Sequence, residues 1–504
     1  MPDPEDPSDP ENLRGLEDLR RDAREIFADV LDAVDARRAV LGALAVEGTR
    51  LRVCGEEFDL RALDVYSVAL GKAAAAMASA LDERLGERLV GGVVSAPPSS
   101  RRLSRRWLVF DGGHPLPDES SFEAARAAFA LLREADAPSS LVVFLVSGGG
   151  SAMVEWPRDP RVTLEDLRAA NRVLVSCGAA IEEVNAVRRA LSAVKGGGLS
   201  RLAPRAAQVT LIVSDVAAGR DYDVASGPTL APPGDAQAAR EVVARHGLDS
   251  KLPASVLKAL EAFAEADGRT ARPASSNDTP RVESSNDSPR AAPAGATAEA
   301  APQAPARSHY VLLDNARACR AAAESARARG YAVETARDIC DQPVAEGAAA
   351  LVSRLAELRG RAFGRGVCLI SGGEFACPVR GAGRGGRSTE TALRCAFELE
   401  RMGEGVFEFE GMGDVVAAGP RPRAVALCAG TDGVDGNSPS AGALADHTTL
   451  SRARARGLDA AKSLDESDSY TLFERLGDAL VTGPTGTNVR DVRILLATGS
   501  GGRD

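Results

Sequence analysis

Two of the chain's five lysines stand directly beside glycine, Lys72 in Gly71-Lys72-Ala73 and Lys195 in Lys195-Gly-Gly-Gly198, and apart from those five every Lys or Arg position is arginine. A compact ammonium next to a backbone that lets a ligand come close suits a phosphate or a carboxylate. Lys72 follows the apolar run Val65–Leu70 and starts a helical segment, so it belongs at a strand end; a solvated helix-start lysine is the alternative. A second group points the same way. Leu141–Val146 runs straight into Ser147-Gly148-Gly149-Gly150-Ser151, and Leu369-Ile370 runs into Ser371-Gly-Gly-Glu374. Glycines after an apolar strand let N–H groups close on an anion at the carboxyl end of a sheet. A plain tight turn uses the same residues.

Acids also cluster at strand ends. Asp215 follows Leu211–Ser214, Asp432 and Asp435 follow the run around Cys428 in Gly-Thr-Asp-Gly-Val-Asp-Gly436, and Glu374 closes its own turn. Carboxylates so placed could hold Mg²⁺ through one or two direct bonds or accept a hydroxyl proton, while Asp-Gly pairs also simply make turns. Arg380-Gly-Ala-Gly383-Arg384-Gly-Gly386-Arg387-Ser-Thr-Glu390 opens a helix with three arginines in eight residues, a forked grip for a charged phosphate or else a solvated loop. Gly381, Gly383 and Gly386 formally fit G-x-G-x-x-G, yet no acid-ended second strand follows, as a dinucleotide unit requires. The chain contains no G-x-x-x-x-G-K-[ST]. His114, in Gly113-His-Pro-Leu-Pro-Asp118, suits proton transfer or loop organisation, and the four histidines lack the spacing of a zinc site.

The elements that must carry these residues alternate along the chain. Apolar runs at Val65–Leu70, Gly92–Ser95, Trp107–Phe110, Leu141–Val146, Val209–Val213, Tyr310–Leu313, Gly366–Ile370, Ala424–Cys428 and Val492–Leu496 predict strands. Helical spacing marks Glu119–Glu134, Leu164–Ser176, Asn315–Arg329 and Thr389–Arg401. Strands apolar throughout, separated by helices, predict an α/β protein with parallel sheets covered on both faces. With 504 residues, 44% of them hydrophobic, there is material for sizeable cores. A net charge of -10 argues against nucleic acid or an anionic membrane as partner. Residues 267–308, poor in large apolar side chains and carrying the near-repeat SSNDTPR/SSNDSPR, read as a disordered insertion. It separates a domain at 13–266 from one at 309–504, after an acidic, Pro-rich tail at 1–12. Eight scattered cysteines predict reduced thiols, and the absence of a signal peptide or an apolar run near 18 residues predicts a cytoplasmic protein.

In their order these motifs resemble the glycerate 2-kinase family, two-domain enzymes whose C-terminal domain is called MOFRL. The resemblance runs through Gly71-Lys72-Ala73, Gly113–Asp118, Ser147–Ser151, Asn185–Gly197, Ser214-Asp215-Val216, Ala225–Thr229, Ser371–Glu374, Gly383–Arg387, Ala429–Gly436 and Thr482–Asn488. It implies a Rossmann-like parallel-sheet first domain, a smaller α/β second domain and an active cleft between them. The implied reaction is ATP-dependent phosphorylation of D-glycerate at its 2-hydroxyl, giving 2-phosphoglycerate, with Mg²⁺, by a monomer or homodimer. The resemblance makes Lys72 and Arg387 catalytic, and Asp215 a metal ligand or proton acceptor, with Asp432 as a further metal ligand. Ser147, Gly148, Gly149, Gly150, Ser151, Lys195, Gly383, Arg384, Glu390 and Glu374 are implied to bind substrate or phosphate. Three places depart from the family pattern: Ala218-Gly219 replaces Gly-Asp, Ser388-Thr389 replaces Asn-Gln, and Phe375 stands where Thr or Pro is usual. Two readings compete with the kinase, an oxidoreductase acting on hydroxypyruvate and a degenerate, non-catalytic family member.

Overall fold

The structure, a computed structural model, describes residues 10–230, 235–270, 305–362, 364–403 and 423–499. The chain forms two compact units, Ala36–Leu313 and a second composed of Met1–Asp35 with Asp314–Asp504. No helix among the described residues is long and apolar enough to cross a membrane.

The first unit opens with a small antiparallel sheet, β1 (Leu44–Glu47), β2 (Arg50–Val53) and β3 (Glu56–Asp59). Its main sheet holds β4 (Asp64–Leu70), β5 (Leu89–Ala96), β6 (Trp107–Asp111), β7 (Ser140–Ser147), β8 (Ala207–Val213) and β9 (Arg307–Leu313). Their order is β6-β5-β4-β7-β8-β9, every pair parallel. All eight residues of β7 are buried, which is why the run is apolar without alternation. Val142, Phe144 and Val146 pack with Ala124, Ala128 and Leu132 of helix Glu119–Glu134. That helix starts where Asp118 accepts the Ser121 N–H at 2.9 Å, a cap that stabilises by about 1 kcal/mol. The sheet grows outward in both directions from the β4/β7 pair. An open α/β sheet leaves a crevice at such a reversal, outside the carboxyl ends of the two strands.

The second unit has β10 (Ala332–Thr335), β11 (Val367–Gly373), β12 (Ala424–Gly430), β13 (Gly442–Asp446), β14 (Ala479–Leu480) and β15 (Asp491–Ala497). Their order is β10-β11-β15-β12-β13-β14. Here the expectation of a parallel sheet is corrected, because β15 runs antiparallel to both β11 and β12. A strand buried on both faces has the same composition in either direction, so the apolar run could not show it. The register sets Asp491, the first residue of β15, opposite both Gly373 and Gly430.

Two boundaries also differ from expectation. Helix Pro10–Ala33 belongs to the second unit, where Leu16, Leu19, Ala23, Ile26, Phe27 and Val30 are buried. Arg20 pairs with Asp446 and Asp478, and the Tyr331 hydroxyl donates to Asp22 at 2.6 Å. An amphipathic stripe announces that a helix is covered, not by which sheet. Strand β9, expected to open the second domain, instead pairs with β8 and completes the first unit. Of the insertion expected at 267–308, residues 271–304 lie outside the described residues; a helix reaches Thr270 and β9 begins at Arg307.

Candidate active site

At the β4/β7 crevice the two strand ends lock together through glycine. Gly71 has φ +112°, and a Cβ there would lie 2.3 Å from the Ser147 carbonyl oxygen. The Lys72 N–H donates to Gly148 O at 2.8 Å and the Ala73 N–H to Ser147 Oγ at 3.0 Å. Three side chains able to do chemistry lie close to two adjacent glycines. A Cβ on Gly149 would lie 3.2 Å from both Lys72 Cγ and His114 Cδ2, and one on Gly148 would lie 1.7 Å from Asp215 Oδ2. An ammonium, an imidazole and a carboxylate thus share one rim, which is equipped to bind an anion and move a proton.

Not every expected residue reaches that rim. Ser147 is fully buried, donates to Leu70 O at 3.3 Å and accepts from Ala73, so it stitches the strands together. Lys195 is 1% exposed and forms a buried ion pair with Glu155, whose Oε1 also accepts from Ser192 Oγ at 2.6 Å. Burial pulls the Lys195 ammonium below its ordinary value against the raising pull of Glu155. The substrate contact expected of Lys195 is corrected to a structural one. The Gly196 and Gly197 N–H groups donate to Ser226 O and Gly227 O at 3.1 and 2.7 Å.

In the second unit the rim is built around Asp491, which no sequence motif singled out. Arg387, opening helix Arg387–Gly403, donates through Nε to Asp491 Oδ2 at 2.6 Å and pairs with Glu374 Oε1 at 2.9 Å. Burial would lower the Arg387 pKa, but Asp491 and Glu374 outweigh it and hold the guanidinium above its usual value. Behind the Ser371-Gly-Gly turn lies Arg493, 2% exposed, donating to Ser371 Oγ, Gly372 O and Gly373 O at 2.7, 2.8 and 2.9 Å. Asp435 is buried beneath the same helix start, accepting the N–H groups of Ser388 and Thr389 at 2.9 and 2.8 Å. Burial, only partly offset by those bonds, raises its pKa to about 6.

The backbone of the arginine loop is taken up by protein acceptors. The N–H groups of Gly383, Arg384, Gly385 and Gly386 donate to Glu466 O, Asp468 Oδ1, Asn437 Oδ1 and Thr389 Oγ1 at 2.8–3.1 Å. The glycines are there for close packing: a Cβ on Gly383 would meet Asp468 Cβ at 2.5 Å. The exposed Arg384 guanidinium lies 4.7 Å from the centre of the Tyr470 ring. Glu390, expected to touch substrate, is 3% exposed and accepts from Arg394 and Arg380 at 2.7 and 3.2 Å, tying the loop to the helix.

The departures prove structural or peripheral. Phe375 is buried, its ring 3.5 Å from the Arg493 guanidinium and packed on Gly347. Ser388 and Thr389 are buried in the Asp435 cap, and Ala218 and Gly219 form an exposed turn.

Among the described residues no three His, Cys, Asp or Glu side chains gather as a metal-binding cluster. Mg²⁺ chelated by phosphates needs only one or two protein carboxylates. Asp432 and Asp491 both lie beside Gly430, their Oδ1 atoms 3.2 and 3.4 Å from where a Cβ there would sit, with Asp432 Oδ1 also accepting the Val434 N–H at 3.1 Å and Asp491 paired with Arg387.

Comparison with known proteins places the chain. Residues 22–261 match the model of a domain of unknown function (DUF4147), and residues 367–491 match the MOFRL family. The chain is 30% identical to the glycerate 2-kinase of Pyrococcus horikoshii over 490 residues, 96% of this chain and 99% of that protein. It is 35% identical to human glycerate kinase over 514 residues, 95% of this chain and 93% of the human one. The crystal structure of glycerate kinase from Thermotoga maritima superposes with a TM-score of 0.70 at 29% identity, covering 95% of this chain and 99% of that one. Matched in both units and over nearly its whole length, the chain belongs to the glycerate kinase family.

Proposed function

We propose that the chain catalyses ATP-dependent phosphorylation of D-glycerate on its 2-hydroxyl, giving 2-phosphoglycerate and ADP. The observation that carries this reading is the meeting of Lys72, His114 and Asp215 around Gly148 and Gly149 at the β4/β7 reversal. Asp215 accepts the hydroxyl proton as that oxygen attacks the γ-phosphorus. The bond from phosphorus to the bridging oxygen breaks, and ADP leaves. The Lys72 ammonium offsets charge on the transferring group, the main task of an enzyme in phosphoryl transfer. In the other unit Arg387 is oriented by Asp491 and Glu374, the geometry expected of an anion-binding guanidinium. Mg²⁺ would neutralise phosphate charge, and on this rim Asp215 is the carboxylate suited to hold it.

The hydroxypyruvate reductase reading needs a pyrophosphate cradle. The G-x-G-x-x-G segment at 381–386 spends its N–H groups on protein acceptors, which counts against it. Purified protein with D-glycerate and MgATP is expected to release ADP only when both substrates are present. NADH oxidation by hydroxypyruvate without ADP release would overturn the proposal, as would nucleotide binding without turnover.

A further inference from the structure

Ser151 follows the glycine turn, half-buried, with its Oγ 2.7 Å from Ser226 Oγ. Which hydroxyl donates is decided by what lies behind Ser226. The buried Asp223 carboxylate accepts from Arg189 Nη1 at 2.9 Å and from Arg220 Nε at 3.0 Å. Paired with two guanidiniums it acts as an acceptor, so the Asn185 amide must turn its NH₂ toward it, at 3.4 Å. Asn185 Oδ1 therefore faces the other way and takes the hydrogen of Ser226 Oγ at 3.1 Å. A hydroxyl has one hydrogen. With its own committed to Asn185, Ser226 can only accept from Ser151, and Ser151 is the donor. The hydrogen of Ser151 thus points into the protein, and what its Oγ offers outward is a lone pair. Ser226 holds this arrangement at φ +58°, after Ala225 at φ +50°, a left-handed backbone that non-glycine residues adopt at a cost.

A lone pair repels carboxylate and phosphate oxygens and attracts a donor. We propose that Ser151 Oγ accepts a hydrogen bond from the non-reacting 3-hydroxyl of glycerate, with Ser226 and Asn185 as positioning residues that fix its polarity. The assignment rests on the reading in which Asp215 takes the proton of the reacting 2-hydroxyl, leaving the 3-hydroxyl as the donor for Ser151. It narrows the expectation that Ser151 binds substrate or phosphate to one substrate hydroxyl.

The test is equilibrium binding of D-glycerate and of D-lactate, which has a methyl group in place of the hydroxymethyl, to the full chain by calorimetry. The wild type is expected to prefer D-glycerate by about tenfold, the worth of one well-made hydrogen bond. Ser151→Ala and Ser226→Ala should each shrink that preference to less than about threefold by weakening D-glycerate alone. Ser226→Ala should add nothing in the Ser151→Ala background, since it acts through Ser151. Equal losses for both acids in either variant would mean that Ser151 reads the shared carboxylate and would overturn the inference. So would additive effects in the double variant, or a preference unchanged by Ser151→Ala. If the wild type binds neither acid, the glycerate reading falls as well; if it binds both equally, only the role of Ser151 does.

Discussion

In the first unit Ser147 ends β7, with parallel strands on either side, and Gly148-Gly149 follow; in the second, Ser371-Gly372-Gly373 ends β11 beside antiparallel β15. In the first turn Gly148 and Gly150 are buried and Gly149 is half-buried. Its glycines let Lys72, His114 and Asp215 close on backbone where any side chain would block them. The second turn is filled from behind by Arg493, whose guanidinium occupies the carbonyls of Gly372 and Gly373. It is a rigid seat for Glu374 and, through it, for Arg387. In the proposed reading one sequence device thus serves as a binding surface beside Lys72, and as scaffold where the neighbouring strand begins with Asp491-Val492-Arg493.

If the first turn is the reacting one, Lys72→Ala should leave a folded protein whose kcat is down by about a thousandfold, because the oriented cation acts on the transition state. Near-normal turnover in a steady-state assay would remove the distinction between the two turns. Arg493→Met should act differently, costing about 3–5 kcal/mol in a denaturant titration, because buried carbonyls lose their partner. A loss of activity without loss of stability would show that the second turn also meets substrate.

Asp435 gives a pH signature to the scaffold side. Its folded pKa, about 6, lies above the ordinary aspartate value of 3.8, so the folded state favours the protonated form. That contribution to stability is present at low pH and declines as pH rises from about 4 through 6, by on the order of 3 kcal/mol. Asp435→Asn lacks the decline, so the stability of the wild type relative to the variant should fall across that window. A difference independent of pH would contradict the buried cap. Arg384→Ala should do least: a loss of no more than about 1 kcal/mol from its contact with Tyr470, and a KM for ATP raised by no more than about threefold. A hundredfold rise would return the arginine loop to the role of phosphate grip.

The sequence made one half of this molecule more legible than the other. Parallel strands joined by helices leave long apolar runs and glycine turns at their ends, so β4, β7, β8 and the rim residues Lys72, Gly148 and Asp215 could be read directly. Strand direction in the second sheet leaves no such trace, and with it went Asp491 and Arg493, which gain their roles only once β15 lies between β11 and β12. Lys195 and Glu390 were misread because rarity and glycine neighbours mark a special position without saying whether a ligand or a buried partner explains it. Glu155 and Arg394 supply that explanation only in three dimensions. The small strands β1, β2 and β3, four residues each, alternate too briefly to stand out.

The central claim is chemical: the rim at the β4/β7 reversal passes the γ-phosphoryl group of ATP to the 2-hydroxyl of D-glycerate. Phosphorus-31 NMR of the product, formed from D-glycerate and MgATP by the wild type with Lys72→Ala as control, tests it most directly. The account predicts a phosphate signal split by the single methine proton of 2-phosphoglycerate, formed by the wild type and all but absent with the variant. A signal split by the two methylene protons of 3-phosphoglycerate, or equal product from the variant, would contradict it.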